Sequence, residues 1–260
     1  MTHGYLTGAL TPRILAHRGL TASAQGEDPS VFENSALAFA AAHAAGVEYV
    51  ETDCRRTADG DVVLFHDETL LRLFADPRPL REVRTAELVA LFAEHGGLLT
   101  LEEALETFPT LRFNVDVKEP ESAEEAGRVV GAHAHRVLLT SFSDRTRRRA
   151  VQSAVRSAGL SPAVSPGRRT IALLRVAAAI RSTALARHAL RGVDAVQVPE
   201  RFGAVRVLTP GLLRLAHDLD VEVHVWTVND PDRMRALIAA GVDGIVTDRA
   251  DLAIAALRAG

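Results

Sequence analysis

Short runs rich in β-branched residues alternate along the chain with longer Ala/Leu/Arg stretches of helical spacing, the pattern of βα units around a parallel sheet. The runs predict strands over Ile14 to Gly19, Tyr49 to Cys54, Val62 to His66, Arg112 to Val117, Val137 to Ser141, Ser161 to Val164, Ala195 to Val198, Glu222 to Val228 and Gly244 to Thr247. An eight-stranded barrel leaves one of these as an extra, and Val62 to His66 reads as a hairpin extension of the strand before it. Helices are predicted over Ser35 to Ala45, Leu101 to Phe108, Ala123 to His133, Asp144 to Ser157, Thr170 to Leu190, Pro210 to Leu219, Pro231 to Ala240 and Ala250 to Arg258. Start signals support two of them. Asn229-Asp230-Pro231 sets a capping side chain before a first-turn proline, and Thr100 with Glu103 forms a capping box. Ala45-Gly46-Val47-Glu48 and Ala240-Gly241-Val242-Asp243 share the same helix-stop chemistry. The stretch from Asp67 to Leu111, with Pro77, Pro79 and Gly96-Gly97, reads as an excursion off the barrel rim after the second strand.

Length fits this picture. The chain has 260 residues, 47% of them hydrophobic, close to the roughly 250 residues of a TIM (β/α)8 barrel, and no composition shift marks a boundary. The expected fold class is α/β, a TIM barrel forming one domain over 1–260. A net charge of −3 and a pI near 6.4 give no general attraction to nucleic acid or anionic membrane. Arg145, Arg147, Arg148 and Arg149 read as a solvated helix face. The single cysteine, Cys54, excludes an internal disulfide, and the first ten residues lack the basic and apolar regions of a secretory signal. The expected location is cytoplasmic. No apolar stretch reaches the about 20 residues of a membrane span. Expected partners are small molecules, with the chain as monomer or homodimer.

Strand geometry then selects the chemistry. Residues two apart share a face, so Glu51 and Asp53 point together while Thr52 and Cys54 point away. Asn114, Asp116 and Lys118 share a face in the same way, with Val115 and Val117 turned outward. Polar side chains facing the inside of a barrel are costly unless satisfied, and near the C-terminal mouth they mark an active site. Glu51, Asp53 and Asp116 are hard oxygen donors suited to Mg2+ or Ca2+. Lys118 is the one lysine among 30 basic residues, a compact charge where a broad guanidinium would not fit. His17 and His66 end predicted strands beside these carboxylates. The other eight histidines read as surface residues.

With these residues in view, the sequence resembles the glycerophosphodiester phosphodiesterase family. The likeness rests on His17-Arg18-Gly19, Glu33-Asn34-Ser35, Glu51-Thr52-Asp53, Asp59-Gly60, His66-Asp67 and Asn114-Val115-Asp116-Val117-Lys118, in that order and approximate spacing. Ser141-Phe142, Trp226-Thr227-Val228-Asn229 and Val246-Thr247-Asp248 extend it over nearly the whole chain. The resemblance implies a metal-dependent diesterase that cleaves glycerophosphodiesters to glycerol 3-phosphate and an alcohol. It implies a divalent metal on Glu51, Asp53 and Asp116, His17 and His66 as an acid and base pair whose order stays open, and Arg18 and Lys118 near the phosphate. The resemblance further implies Trp226 as a wall for the alcohol end and Glu33 as an anchor of the first loop with reach to the metal through water, with Asn34 and Asp67 in support. Two departures stand out: Asp116 replaces the family's usual glutamate, and the loop from Leu20 to Phe32 is long, with Phe32 where proline is common. Two alternatives remain: the same site acting on lysophospholipid or sphingomyelin-like diesters, and a barrel that binds diesters without turnover. The apparent lack of a large apolar rim speaks against the first.

Overall fold

Eight parallel strands wind into a barrel in a computed structural model that describes residues 3–23, 26, 27 and 30–258. They are β1 (Arg13–His17), β2 (Tyr49–Arg56), β3 (Arg112–Val117), β4 (Val137–Thr140), β5 (Ala163–Val164), β6 (Ala195–Val198), β7 (Glu222–Val225) and β8 (Gly244–Thr247). Ladders run unbroken from β5 through β4, β3, β2, β1, β8 and β7 to β6. At the seam between β5 and β6, Asp194 replaces the ladder. Its N–H donates to the Val164 carbonyl at 2.9 Å, and its carboxylate accepts the Val164 N–H at 2.8 Å.

The extra run is Val62–Leu64, which pairs antiparallel with the far end of β2 through Cys54, Arg55 and Arg56. It leads into the excursion, which is more ordered than its prolines suggest. Helices Leu71–Phe74 and Thr85–Phe92 enclose a small core of Val63, Phe65, Leu70, Leu80, Val83, Leu88 and Phe92. The expected helix Thr170 to Leu190 is two helices, Arg168–Ala179 and Thr183–Ala189. Arg181 between them takes a left-handed conformation, φ 55°, and Ser182 caps the second by accepting the Leu185 N–H. The predicted caps form: Asp230 accepts from Asp232 and Arg233, and Thr100 and Glu103 complete a reciprocal box. Among the described residues no helix is long and apolar enough to cross a membrane.

Two apolar layers follow from the alternation of faces. The larger lies between barrel and helices and takes Cys54, Val115 and Val117. The smaller fills the barrel interior around Leu15, Tyr49, Leu138 and Val246, and Tyr5 and Leu6 plug it from below. Tyr49 Oη donates to the Tyr5 carbonyl at 2.8 Å, Arg13 donates to Leu6 O at 2.7 Å, and Arg112 donates to Tyr5 O at 2.7 Å. Arg13 also pairs with Glu222 at 2.9 Å. One histidine departs from the surface reading. His224 is fully buried, because Glu222, His224 and Trp226 share the inward face of β7, and its Nε2 lies 3.0 Å from Glu222.

Candidate active site

The barrel's C-terminal mouth opens into a cavity of about 440 Å³. Register brings its polar end together: His17 lies beside Glu51, Glu51 beside Asn114, and Asp53 beside Asp116. His17, Arg18, Glu51, Asp53, His66, Asp116, Lys118 and Trp226 all line the cavity. Of the predicted residues, Glu33, Asn34 and Asp67 stand behind it. The turn after β1 needs Gly19: φ is +91°, and a Cβ there would sit 2.7 Å from Ala38.

Each imidazole is held by a carboxylate. His17 Nδ1 lies 2.6 Å from Asp248 Oδ1 and His66 Nδ1 lies 2.6 Å from Asp67 Oδ1. Burial disfavours ionisation of both aspartates, but hydrogen bonds hold them below the usual range, Asp248 through His17 and Asn229, Asp67 through Arg72 and His66. An ionised carboxylate only accepts, so each Nδ1 carries the proton and Nε2 is left free. His17 Nε2 is 3.8 Å from Glu51. Burial alone would lower the pKa of His17. The bond to Asp248 and the charge of Glu51 outweigh it, and the pKa is raised.

The carboxylates divide by neighbour. Asp53 meets Lys118 Nζ at 2.6 Å and Arg18 Nε at 3.0 Å. Against its burial, these cations hold its carboxyl below the ordinary range. Glu51 has no lysine or arginine partner among the described residues. Burial, then the charge of Asp53, pushes it up to about 8. Asp116 meets Lys118 at 2.7 Å, yet burial raises its pKa. Lys118 is raised, since Asp116 and Asp53 together overcome its desolvation.

Three buried oxygens at this end, Glu51 Oε2, Asn114 Oδ1 and Asp116 Oδ1, have no hydrogen-bond donor among the described residues. Orphaned acceptors of this kind call for a cation or water. The spacing is a separate matter: no group of three or more His, Cys, Asp or Glu among the described residues is drawn together as a metal cage. Lys118 pairs with both Asp53 and Asp116. The donor chemistry fits a hard divalent ion, and the orphaned oxygens are the firmer sign of it because they carry an energetic cost.

Several supporting residues escaped the sequence reading. Glu33 accepts from Arg18 at 2.9 Å and from Arg72, while Arg72 also reaches Asp67. Glu33 is thus held by arginines behind the cavity wall. Arg55 donates to the His66 carbonyl at 2.8 Å and pairs with Glu119. Asn229 donates to Asp248 at 2.7 Å. The apolar side was also underestimated. Phe142, Phe202 and Val205 are 44%, 66% and 44% exposed at the mouth, the last two on a hairpin of Arg201–Phe202 with Val205–Arg206. The mouth therefore has an apolar rim, assembled from loops that show no periodicity in the sequence.

Fold and cavity define a (β/α)8 barrel protein with its polar cluster at the C-terminal mouth. Residues 17–252 match the glycerophosphoryl diester phosphodiesterase family. The chain is 40% identical over 256 residues to a probable glycerophosphodiester phosphodiesterase 2 of Mycobacterium tuberculosis, covering 94% of this chain and 93% of that protein. Crystal structures of similar fold include a glycerophosphodiester phosphodiesterase from Thermotoga maritima (24% identity, TM-score 0.67, 93% of this chain and 96% of that one). Another is a phosphodiesterase from Oleispira antarctica in complex with the product sn-glycerol-3-phosphate (19% identity, TM-score 0.71, 96% and 98%). The chain belongs to the glycerophosphoryl diester phosphodiesterase family, and it is an enzyme by that membership.

Proposed function

We propose that this protein hydrolyses glycerophosphodiesters to glycerol 3-phosphate and an alcohol, with His17 and His66 moving the protons. The observation that carries this reading is the pair of imidazoles, each tied through Nδ1 to an aspartate, lining the same cavity as Glu51, Asp53, Asp116 and Lys118. His17 Nε2 takes the proton of the attacking hydroxyl as its oxygen bonds to phosphorus. His66 gives a proton to the departing alkoxide as the old P–O bond breaks. Lys118 and Arg18 face the phosphate's charge. Asp248 and Asp67 hold the rings in the tautomer the transfer needs, and Asn34 braces Thr52 at 2.7 Å.

Glu51, Asp53 and Asp116 would hold Mg2+ or Ca2+, with Asn114 as a neutral neighbour. Such an ion supplies charge neutralisation at the phosphoryl group. Asp116 is one methylene shorter than the family's usual glutamate, and its bond to Lys118 is consistent with a side chain drawn back toward its own strand. The test is hydrolysis of glycerophosphoglycerol followed by phosphorus NMR, with and without added metal. Glycerol 3-phosphate should accumulate, and a transient cyclic phosphate would identify the substrate's own hydroxyl as nucleophile. No turnover under any metal would end the reading.

A second reading, a diester bearing one acyl chain, is favoured by the apolar rim of Phe142, Phe202 and Val205. Comparing glycerophosphocholine with lysophosphatidylcholine separates the two.

A further inference from the structure

Beyond the carboxylates the cavity continues into an arm that the proton transfers do not use. Its walls are largely apolar, with Phe142, Ile171, Phe202, Val205 and Val207 among its lining residues. Two guanidiniums, Arg168 and Arg175, also line it. Arg168 stacks on the Phe142 ring, 4.3 Å from its centroid, and lies 5.9 Å from that of Phe202. No ion pair joins either arginine to a carboxylate among the described residues. The lining carboxylates Glu51, Asp53 and Asp116 all sit at the opposite end, where Lys118 and Arg18 already hold Asp53 and Lys118 holds Asp116.

This distribution is not neutral. Cations on low-dielectric walls without counter-charges leave a positive field in the cleft, and Coulomb interactions there are stronger than in open water. Asp144 fixes the loop that carries Arg168. It accepts the Gly167 N–H at 2.9 Å and the Thr170 hydroxyl at 3.0 Å. A Cβ at Gly167 would meet Asp144 N at 2.7 Å, so the loop lies tight against that anchor. Lys118 Nζ is 5.6 Å from the same Phe142 centroid, which sets Lys118 and Arg168 within about 10 Å of each other. A phosphate at Lys118 therefore has a second cationic position one short apolar spacer away. An acyl chain would leave both guanidiniums unanswered, and a quaternary ammonium would be repelled by them.

We propose that this arm is the subsite for the alcohol half of the substrate, and that it selects alcohols carrying an anionic group on an apolar spacer over ammonium headgroups. The assignment rests on the phosphodiesterase reading above. Hydrolysis adds water across the P–O bond and releases glycerol 3-phosphate and the anionic alcohol, with no other reactant.

Three aryl esters of glycerol 3-phosphate test it: phenyl, 4-carboxyphenyl and 4-(trimethylammonio)phenyl. On each protein the charged esters' kcat/KM is divided by the phenyl ester's, and comparison across proteins cancels leaving-group chemistry. The carboxylate-to-ammonium ratio should fall by about tenfold or more from wild type to Arg168→Glu/Arg175→Glu. A 4-(phosphonomethyl)phenyl ester tells whether the arm favours a doubly charged phosphonate over a carboxylate. If circular dichroism shows that charge reversal prevents folding, Arg168→Gln/Arg175→Gln takes its place and should lower the ratio from the wild-type value by more than about twofold. A ratio that stays within about twofold of wild type, with the phenyl ester still cleaved, overturns the subsite and leaves the phosphodiesterase reading standing. Failure of the wild type to cleave any ester overturns both.

Discussion

The two ends of the cavity are built by opposite means. The polar end stands at the upper ends of β1, β2, β3 and β8, where Asp53 is 1% and Glu51 8% exposed and side chains hold one another in a bonded set. The apolar arm comes from the loops after β4 and β6 and from the helix Arg168–Ala179 that follows β5, with Phe142 and Phe202 open to solvent. Apart from His66, which follows the antiparallel run Val62–Leu64, the proposed reacting groups thus rest on the barrel, and most groups proposed to face the rest of the substrate rest on segments that can change without disturbing it. Damage to the first end should affect turnover, and damage to the second should affect binding.

The sharpest break is at the imidazoles. His17→Ala and His66→Ala should each lower kcat by about 10²- to 10⁴-fold with an unchanged melting curve. Near-normal steady-state turnover in both would remove them from the reaction. EDTA should silence the wild type and added Mg2+ or Ca2+ restore it, whereas full activity in chelator would remove the metal from the scheme.

Asp248→Asn should cost less, about 10- to 10²-fold in kcat/KM. Asp248 helps raise the pKa of His17 against burial, so losing its charge lowers that pKa. The acid limb of the pH profile should then move to lower pH. A limb that stays in place, or moves up, would take the base role from His17.

Glu51→Gln separates stability from activity. Glu51 is pushed up to about 8 from an ordinary 4.5, so the folded protein holds its proton more tightly than the unfolded chain. The linked stability is complete below pH 4.5 and is lost as pH rises to about 8. In metal-free buffer at pH 9, urea unfolding should find the variant more stable than wild type by about 1–3 kcal/mol, the cost of an uncompensated buried charge, with no such gain at pH 4. A smaller effect is expected at the other end. Phe142→Ala should raise KM by less than about tenfold with kcat nearly kept, as loss of uniform binding does; a collapse of kcat instead would erase the contrast between the ends.

The polar end was legible because a strand's two-residue period converts sequence into faces, and that arithmetic brought out Glu51, Asp53, Asn114, Asp116 and Lys118. Asp248 was within reach of similar reasoning: Ala16 pairs with Thr247, which sets the residue after β8 beside His17. His224 also followed from alternation with Glu222 and Trp226, and was missed by judging histidines from their likely segments. Arg72, Arg168 and Arg175 had no comparable signal. Arg72 sits behind the cavity wall on a short helix of the excursion, and Arg168 and Arg175 line the cavity from the helix Arg168–Ala179, whose placement depends on tertiary anchors such as Asp144. The break at Arg181 lay hidden because a helical apolar pattern continues on both sides of a left-handed residue.

The stopper that Tyr5 and Leu6 form beneath the strands fills the lower end of the barrel, so that among the described residues the cavity opens at the C-terminal mouth. Under the proposed hydrolysis both products leave by the mouth through which the substrate enters, so the first to depart clears the way for the second. Whatever narrows that opening, including the hairpin bearing Phe202, sets a limit on how quickly the next molecule is admitted.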